Sequence, residues 1–180
     1  AKKRLGGKMG SGKQKVSWVG IDDAVTPIEG GPKTGGFDVL PGRSGSGALA
    51  ELPKEDVSRL AAGLSALALQ YDHVLIDLGA GIESHSMRLA RTADKFLAVI
   101  TDDPASMTDG YAFMKVLRGY ASHVEQMVAI NQVPSRTDGQ RTFETIAKAC
   151  STFLGFRPGL AGILRTDLQV REAVRQQKTV

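Results

Sequence analysis

The chain has 180 residues, of which 42% are hydrophobic and 23% charged, a composition that suits one domain with a core. No apolar run reaches the roughly 18 residues that a membrane span requires, and the basic N-terminus has no apolar signal-peptide core. We therefore expect a cytoplasmic protein. Residues 1–20 hold six Lys or Arg and no acid, which leaves 17 basic and 19 acidic residues beyond them, a net charge of −2. This mildly acidic body argues against a DNA partner.

Residues 1–36 contain nine glycines and are expected to form a basic, Gly-rich connector. Residues 37–180 are expected to form a single domain. Cys150, the only cysteine, lies in a helical pattern between Ala147 and Phe153 and is interpreted as a small buried hydrophobe.

From residue 37 onward, short apolar runs alternate with longer segments of helical period. Continuously apolar strands separated by single amphipathic helices predict an α/β fold of three layers, with a mostly parallel sheet and helices on both faces. In chain order we predict a strand at Phe37–Leu40, a helix opened by Leu52 and Pro53, a strand at His73–Asp77, a helix at Glu83–Thr92, a strand at Phe96–Thr101, a helix at Thr108–Gly119, a strand at Met127–Val133, a helix opened by Thr137 with Gln140 in a capping box, a strand at Leu160–Leu164 and a helix at Asp167–Gln176.

Two of these helices have a clear apolar face. The spacing i, i+3, i+4, i+7 predicts that one side of each is buried. The residues are Val57, Leu60, Ala61, Leu64, Leu67 and Ala68 in the first, and Phe143, Ile146, Ala147, Cys150, Phe153 and Leu154 in the second.

Ligands of parallel sheets bind outside the carboxyl ends of the strands, where Asp77, Asn131 and Asp167 stand out. Asp77 precedes Leu-Gly-Ala-Gly, and its carboxylate suits a Mg²⁺ shell beside nucleotide phosphates; the alternative is a helix cap. Asn131 follows Val-Ala-Ile, and its amide can pair with adenine; the alternative is a structural turn residue.

Gly7–Lys13 has the spacing of a Walker A loop. We reject it as one, because no apolar strand precedes it, no helical pattern follows it and Gln14 replaces the hydroxyl residue that reaches Mg²⁺. His73, His85 and His123 show no metal-ligand spacing, and no serine lies in a nucleophile-elbow motif. Zinc and triad chemistry are therefore not expected.

The segment Tyr71–Ile82, with Asp77 and the ending Gly-Ala-Gly-Ile, resembles the Walker B segment of MinD/ParA-type P-loop ATPases, and most of all the FlhG/FleN branch that controls flagellar number. The resemblance spans about residues 37–178 in the family's order. Its other segments are Leu40–Gly47, Thr101–Tyr111, Ala129–Val133 and Gly162–Asp167, followed by Val170 and Ala173.

The resemblance implies a nucleotide site. Asp77 would be the catalytic residue that organises Mg²⁺ through water, and Gly79, Ala80 and Gly81 would sense the terminal phosphate. Asn131 would read adenine, and Arg165, Thr166 and Asp167 would line the base pocket. ATP and Mg²⁺ would be the ligands. Residues 37–180 would be the C-terminal part of one MinD-like domain, with its phosphate-binding loop upstream of Ala1.

By the same resemblance, the full-length protein would be an ATP-dependent homodimer and an ATPase, whereas the present chain alone would be inactive. Its partners would be flagellar assembly or regulatory proteins, with peripheral contact at the inner face of the membrane through segments outside this sequence. Leu164 stands where many relatives have proline, a departure from the family pattern that bears on the shape of the base pocket. A chromosome or plasmid partitioning ATPase, an inactive scaffold and an amide-forming synthetase of the cobyrinic acid type are the alternatives.

Overall fold

A computed structural model describes residues 21–28, 36–42, 53–79 and 81–178. The chain divides after Arg43 into two compact units. In the first unit a 3-10 turn, Ile21–Ala24, precedes strand β1, Thr26–Ile28. Strand β1 pairs antiparallel with β2, Phe37–Val39. Strand β1 lies in the region that was expected to be a connector, and β2 is the expected first strand. Strands of only three residues need a paired neighbour, and each of these two strands provides it for the other.

The second unit contains five helices and three strands among its described residues. They are α1, Lys54–Ala68; α2, Ser84–Ala90; β3, Lys95–Ile100; α3, Pro104–Tyr120; β4, Glu125–Val133; α4, Arg136–Leu154; β5, Gly159–Arg165; and α5, Leu168–Gln176. Their alternation is the α/β arrangement that the sequence predicted.

The three strands of the second unit form one parallel sheet in the order β3-β4-β5. Ile100 lies opposite Ile130, and Ile130 lies opposite Ile163. Each connection between parallel strands contains one helix, as a βαβ crossover requires. All three carboxyl ends therefore meet at the same edge of the sheet.

Helices α3 and α4 cover the face of the sheet that carries Ala98, Ile100, Val128 and Ile130. The core on this face also contains Met114, Phe143, Ile146, Ala147 and Cys150, all buried. The burial predicted for Cys150 and for most of the α4 stripe is thus confirmed. Phe153 is the exception, since 75% of it is exposed; it lies in the last turn of α4, just before Gly155 ends the helix in a left-handed conformation.

A second apolar cluster joins α2 to α3. It contains Met87, Ala90, Phe113, Leu117, Ala121 and Val124. Phe96 of β3 stacks on Phe113 with ring centroids 4.6 Å apart, which connects this cluster to the sheet. The opposite face of β3 carries Leu97 and Val99, which are 49% and 61% exposed.

The strand predicted at His73–Asp77 does not form. Residues 73–77 have no sheet partner among the described residues, and Leu75 is 96% exposed. Only Leu78, just after this segment, packs against the cluster of α2 and α3. A run of apolar residues favours a strand, but a strand exists only when another strand satisfies its backbone.

Three helix starts differ from the prediction. Helix α3 begins at Pro104, because the Asp103 side chain accepts hydrogen bonds from Ala105 N at 2.8 Å and Ser106 N at 3.4 Å. Helix α4 is capped by Ser135, whose hydroxyl accepts from Asp138 N at 3.1 Å, and not by Thr137. Pro53 is the cap residue of α1 and not a residue of its first turn. No helix in the described ranges is long and apolar enough to cross a membrane.

Candidate functional site

The carboxyl edge of the sheet brings together three loops. They follow Ile100 in β3, Val133 in β4 and Arg165 in β5, and the last two residues are paired with each other. Asn131, Arg165, Thr166 and Asp167 lie on this edge, so the sheet register unites four of the predicted site residues. Ligands of open parallel sheets bind at this edge.

The loop after β3 is ordered by its own polar side chains. Thr101 N donates to Ser106 Oγ at 3.0 Å, and Asp103 N donates to Thr101 Oγ1 at 3.4 Å. Asp103 caps α3. The positive end of α3 therefore lies at the carboxyl edge. We assigned no role to these residues from the sequence, although an aspartate followed by proline before a helical pattern is a sign of a helix start.

At the end of β4 the strand is interrupted by a bulge. Ile130 pairs with Ile163 and Val133 pairs with Arg165, so two residues of β4 lie opposite one residue of β5. Gln132 has a φ of 57°, a left-handed conformation that is uncommon for a residue with a side chain. Asn131 is half-buried, and its Oδ1 accepts a hydrogen bond from Gln132 N at 2.9 Å.

The loop after β5 is tied to this bulge. Thr166 N donates to Val133 O at 2.9 Å. Asp167 is the N-cap of α5, and its Oδ1 accepts from Gln169 N at 2.8 Å. The side chains of Arg165 and Asp167 are exposed. Asp167 thus has a structural role that accounts for its position, and its contribution to a base pocket stays a prediction.

Asp77 is exposed and has no hydrogen bond or ion pair with any described residue. It lies in the segment that precedes Leu78, without the strand that was expected to position it. Gly79 has open space where a Cβ would lie, and Gly81 has a φ of 110°, which favours glycine. Ala80 lies outside the described residues, as does the rejected Gly7–Lys13 pattern.

The structure also has a groove of about 540 Å³ between the start of α4 and β5. Arg136, Thr137 and Gln140 lie on one side of it, and residues 160–163 on the other. Gly139 permits this close packing, because an added Cβ would collide with Ile163 Cγ2. None of the predicted site residues is among those that line the groove.

Two curated proteins are similar to this chain, and no family model matches it. The antiactivator FleN of Pseudomonas aeruginosa is 29% identical over 146 residues, which are 81% of this chain and 52% of that protein. The flagellum site-determining protein YlxH of Helicobacter pylori is 26% identical over 163 residues, 88% of this chain and 52% of that protein. The chain therefore spans about half the length of these relatives.

Both matches cover most of this chain, and the parallel sheet with its crossover helices agrees with the fold that the resemblance implies. The similarity of this chain to the FlhG/FleN branch of the MinD/ParA-type proteins is thereby confirmed.

Proposed function

We propose that this chain is part of an ATP-dependent switch protein of the MinD/ParA type that regulates the number or placement of flagella. The observation that carries the proposal is the similarity to the antiactivator FleN over 81% of the chain. The polar loops that meet at the carboxyl edge of a parallel sheet support the nucleotide-binding part of it.

In this proposal the ligand is ATP with Mg²⁺, and the residues of the carboxyl edge recognise the base. Asn131 presents an amide to the purine. The Arg165–Asp167 loop lies beside Asn131, because Thr166 N donates a hydrogen bond to Val133 O. Gly79 leaves open space at the segment that would face the phosphates. Nucleotide binding and hydrolysis would switch the protein between partners, including a second copy of itself.

The described residues fit Mg²⁺ in a limited way. They contain no group of three or more His, Cys, Asp or Glu side chains that could hold a metal ion. Asp77 is a single carboxylate without a partner among the described residues, which suits Mg²⁺ because this ion is commonly held by one or two carboxylates together with waters and phosphate oxygens. Asp77 would therefore hold the ion only in the presence of nucleotide, and the ion would neutralise charge on the phosphates.

A gene deletion tests the flagellar part of the proposal. Counting flagella by electron microscopy in the deletion strain should show an altered number or position, which the wild-type gene restores and an Asp77→Ala gene does not. Chromosome inheritance should be unchanged. Normal flagella together with chromosome or plasmid loss would instead assign the protein to partitioning.

Phosphate release tests the enzymatic part. The full-length protein should hydrolyse ATP, whereas residues 1–180 alone should not, since the amides and lysine of a phosphate-binding loop supply most of the electrostatic stabilisation in this reaction. Hydrolysis by residues 1–180 would restore Gly7–Lys13 as the phosphate-binding loop. A full-length protein that binds but never hydrolyses ATP would be a scaffold of the same fold.

A further inference from the structure

We propose that Gln132 is a positioning residue whose left-handed backbone holds Asn131 and the Arg165–Asp167 loop in the arrangement that accepts a purine base. This inference rests on the proposed function for its ligand. It concerns a residue whose type gave no signal in the sequence, and it assigns the role to the backbone of Gln132 and not to its side chain.

The bulge at Asn131 and Gln132 determines which side chains of β4 enter the core. Val128, Ile130 and Val133 are all fully buried in the same cluster. Strict alternation would place Gln132, and not Val133, on that face. The extra residue in β4 shifts the alternation by one position, so that Val133 enters the core and Gln132 remains exposed.

The same bulge fixes both partners of the candidate base site. Asn131 Oδ1 accepts from Gln132 N at 2.9 Å, so the Asn131 amide is held against the peptide group from which the left-handed turn of Gln132 starts. The amide Nδ2 of Asn131 is then the end that can donate to a ligand, which suits the N7 acceptor of a purine. On the other side, Val133 O accepts from Thr166 N at 2.9 Å, so the β5 loop is held by the residue that follows Gln132.

A left-handed backbone is unfavourable for residues with a Cβ, least so for asparagine, and most unfavourable for β-branched residues. Strained residues of this kind concentrate at ligand sites. Glycine adopts this conformation freely. Substitution of Gln132 can therefore keep or remove the backbone conformation independently of the side chain.

The test compares Gln132→Gly, Gln132→Asn and Gln132→Val in the full-length protein. The chain offers a matched control, since Gln177 is the other non-glycine residue with a positive φ in the described ranges, at 53°, and ends α5 away from the sheet edge. Gln177→Val imposes the same backbone penalty at a position without contact to Asn131. Affinity is measured with a fluorescent ATP analogue, and stability by thermal unfolding.

We expect Gln132→Gly and Gln132→Asn to bind the analogue within a few fold of wild type. Gln132→Val should bind about tenfold more weakly, because the binding-competent backbone becomes a minor state. Gln177→Val should lower the unfolding temperature without changing affinity. Equal affinities for the Gly and Val variants would overturn the proposal, whether both match wild type or both bind more weakly. In the second case the side chain of Gln132 would be responsible.

A second measurement separates this inference from the proposed function. In ¹⁵N-¹H spectra of the protein without nucleotide, the Thr166 amide and the Asn131 side-chain amide should keep their positions in Gln132→Gly and shift in Gln132→Val. If these signals behave as expected but no variant binds nucleotide, the positioning role stands and the proposed ATP site is wrong. If the two signals are unmoved in Gln132→Val, the positioning role itself is wrong.

Discussion

Asp77 and Asn131 are held in very different ways, although both were predicted to follow apolar strands. Asn131 is half-buried, and its Oδ1 accepts a hydrogen bond from Gln132 N at 2.9 Å. Asp77 is exposed and has no partner among the described residues. A protein side chain near the transferred phosphate affects mainly the rate of hydrolysis, and one that contacts the base affects mainly the affinity for the nucleotide. The two side chains should therefore be separable by kinetics.

In the full-length protein we expect Asp77→Ala to lower kcat on the order of a hundredfold or more, with a smaller change in KM. Asn131→Ala should weaken ATP binding about tenfold, since it removes one half-buried hydrogen-bonding group, and should reduce the preference for ATP over GTP. Asp72→Ala, in the same exposed segment, is the control and should match wild type. An unchanged kcat in Asp77→Ala would remove the Mg²⁺ assignment.

Gln126 is the one described residue whose buried side-chain polar atoms have no hydrogen-bond partner. It is 5% exposed, on the face of β4 that also carries Val128. A buried amide without partners costs about 1–3 kcal/mol, so Gln126→Met, which keeps the length of the side chain, should raise the free energy of unfolding by about 1 kcal/mol or more. Urea denaturation measures this.

Gln140→Met is the control for Gln126→Met, because Gln140 lies in α4 with an exposed side chain that donates to Glu144. It should bring no such gain. A loss of stability in Gln126→Met would mean that the Gln126 amide makes hydrogen bonds in solution, for example to a buried water.

At the scale of elements, the sequence predicted the crossover helices well because their periodicity is local. Half of the apolar face predicted for α1 is buried, and the other half is half-buried: Val57, Ala61 and Leu67 are buried, and Leu60, Leu64 and Ala68 are half-buried. Strand His73–Asp77 was wrong because pairing is not local: its apolar residues indicate a capacity for burial, and no described strand lies beside them. A residue pattern reports what an element can bury and not which neighbour it has.

The candidate site shows the same division. The register of three parallel strands follows from their apolar runs, so the convergence of Asn131 and the Arg165–Asp167 loop could be predicted. The bulge could not, because glutamine is no signal for a positive φ, and its extra residue is visible only against β5. The capping role of Ser135 was also missed, although Ser135 and Asp138 have the spacing of a capping box.

The ion pair between α4 and the loop before β5 should make the stability of the protein depend on pH. Arg157 Nη2 donates to both carboxylate oxygens of Glu144 at 2.8 Å. Its guanidinium lowers the pKa of Glu144 from the ordinary value of 4.5. A carboxyl whose pKa is lowered by folding stabilises the protein above the unfolded pKa, and this contribution is lost as the pH falls through the folded value.

We therefore expect Glu144→Gln to flatten the dependence of the unfolding temperature on pH below about 4.5, with a small effect at pH 7 because the pair is exposed. Thermal unfolding at several pH values between about 2.5 and 7 measures this dependence. In an Arg157→Gln background the same substitution should change the pH profile much less. If the two backgrounds give the same change, another group is responsible.

At the scale of the whole molecule, the sheet is covered unequally. Helices α3 and α4 bury one face, while Leu97 and Val99 on the other are about half exposed. Parallel sheets are normally covered on both faces. The chain spans about half the length of its curated relatives, so activity, partners and the dimer that we propose are properties to be tested on the full-length protein.

The distribution of charge along the chain distinguishes a flagellar regulator from a DNA-partitioning protein. Residues 21–180 hold 17 basic and 19 acidic residues, and the six basic residues of positions 1–20 lie in one short segment. DNA affinity depends on the number of phosphates neutralised, and a protein with many such contacts loses about a thousandfold or more in affinity between roughly 50 and 200 mM salt.

With ATP bound, the full-length protein should therefore show little affinity for duplex DNA near physiological salt, as measured by fluorescence anisotropy. Any binding at about 50 mM salt should disappear when residues 1–20 are removed, because the remaining net charge of −2 repels phosphate. A variant lacking residues 1–20 that still binds duplex tightly, with ATP dependence and a steep salt slope, would require a basic surface on the folded body and would favour partitioning over flagellar control.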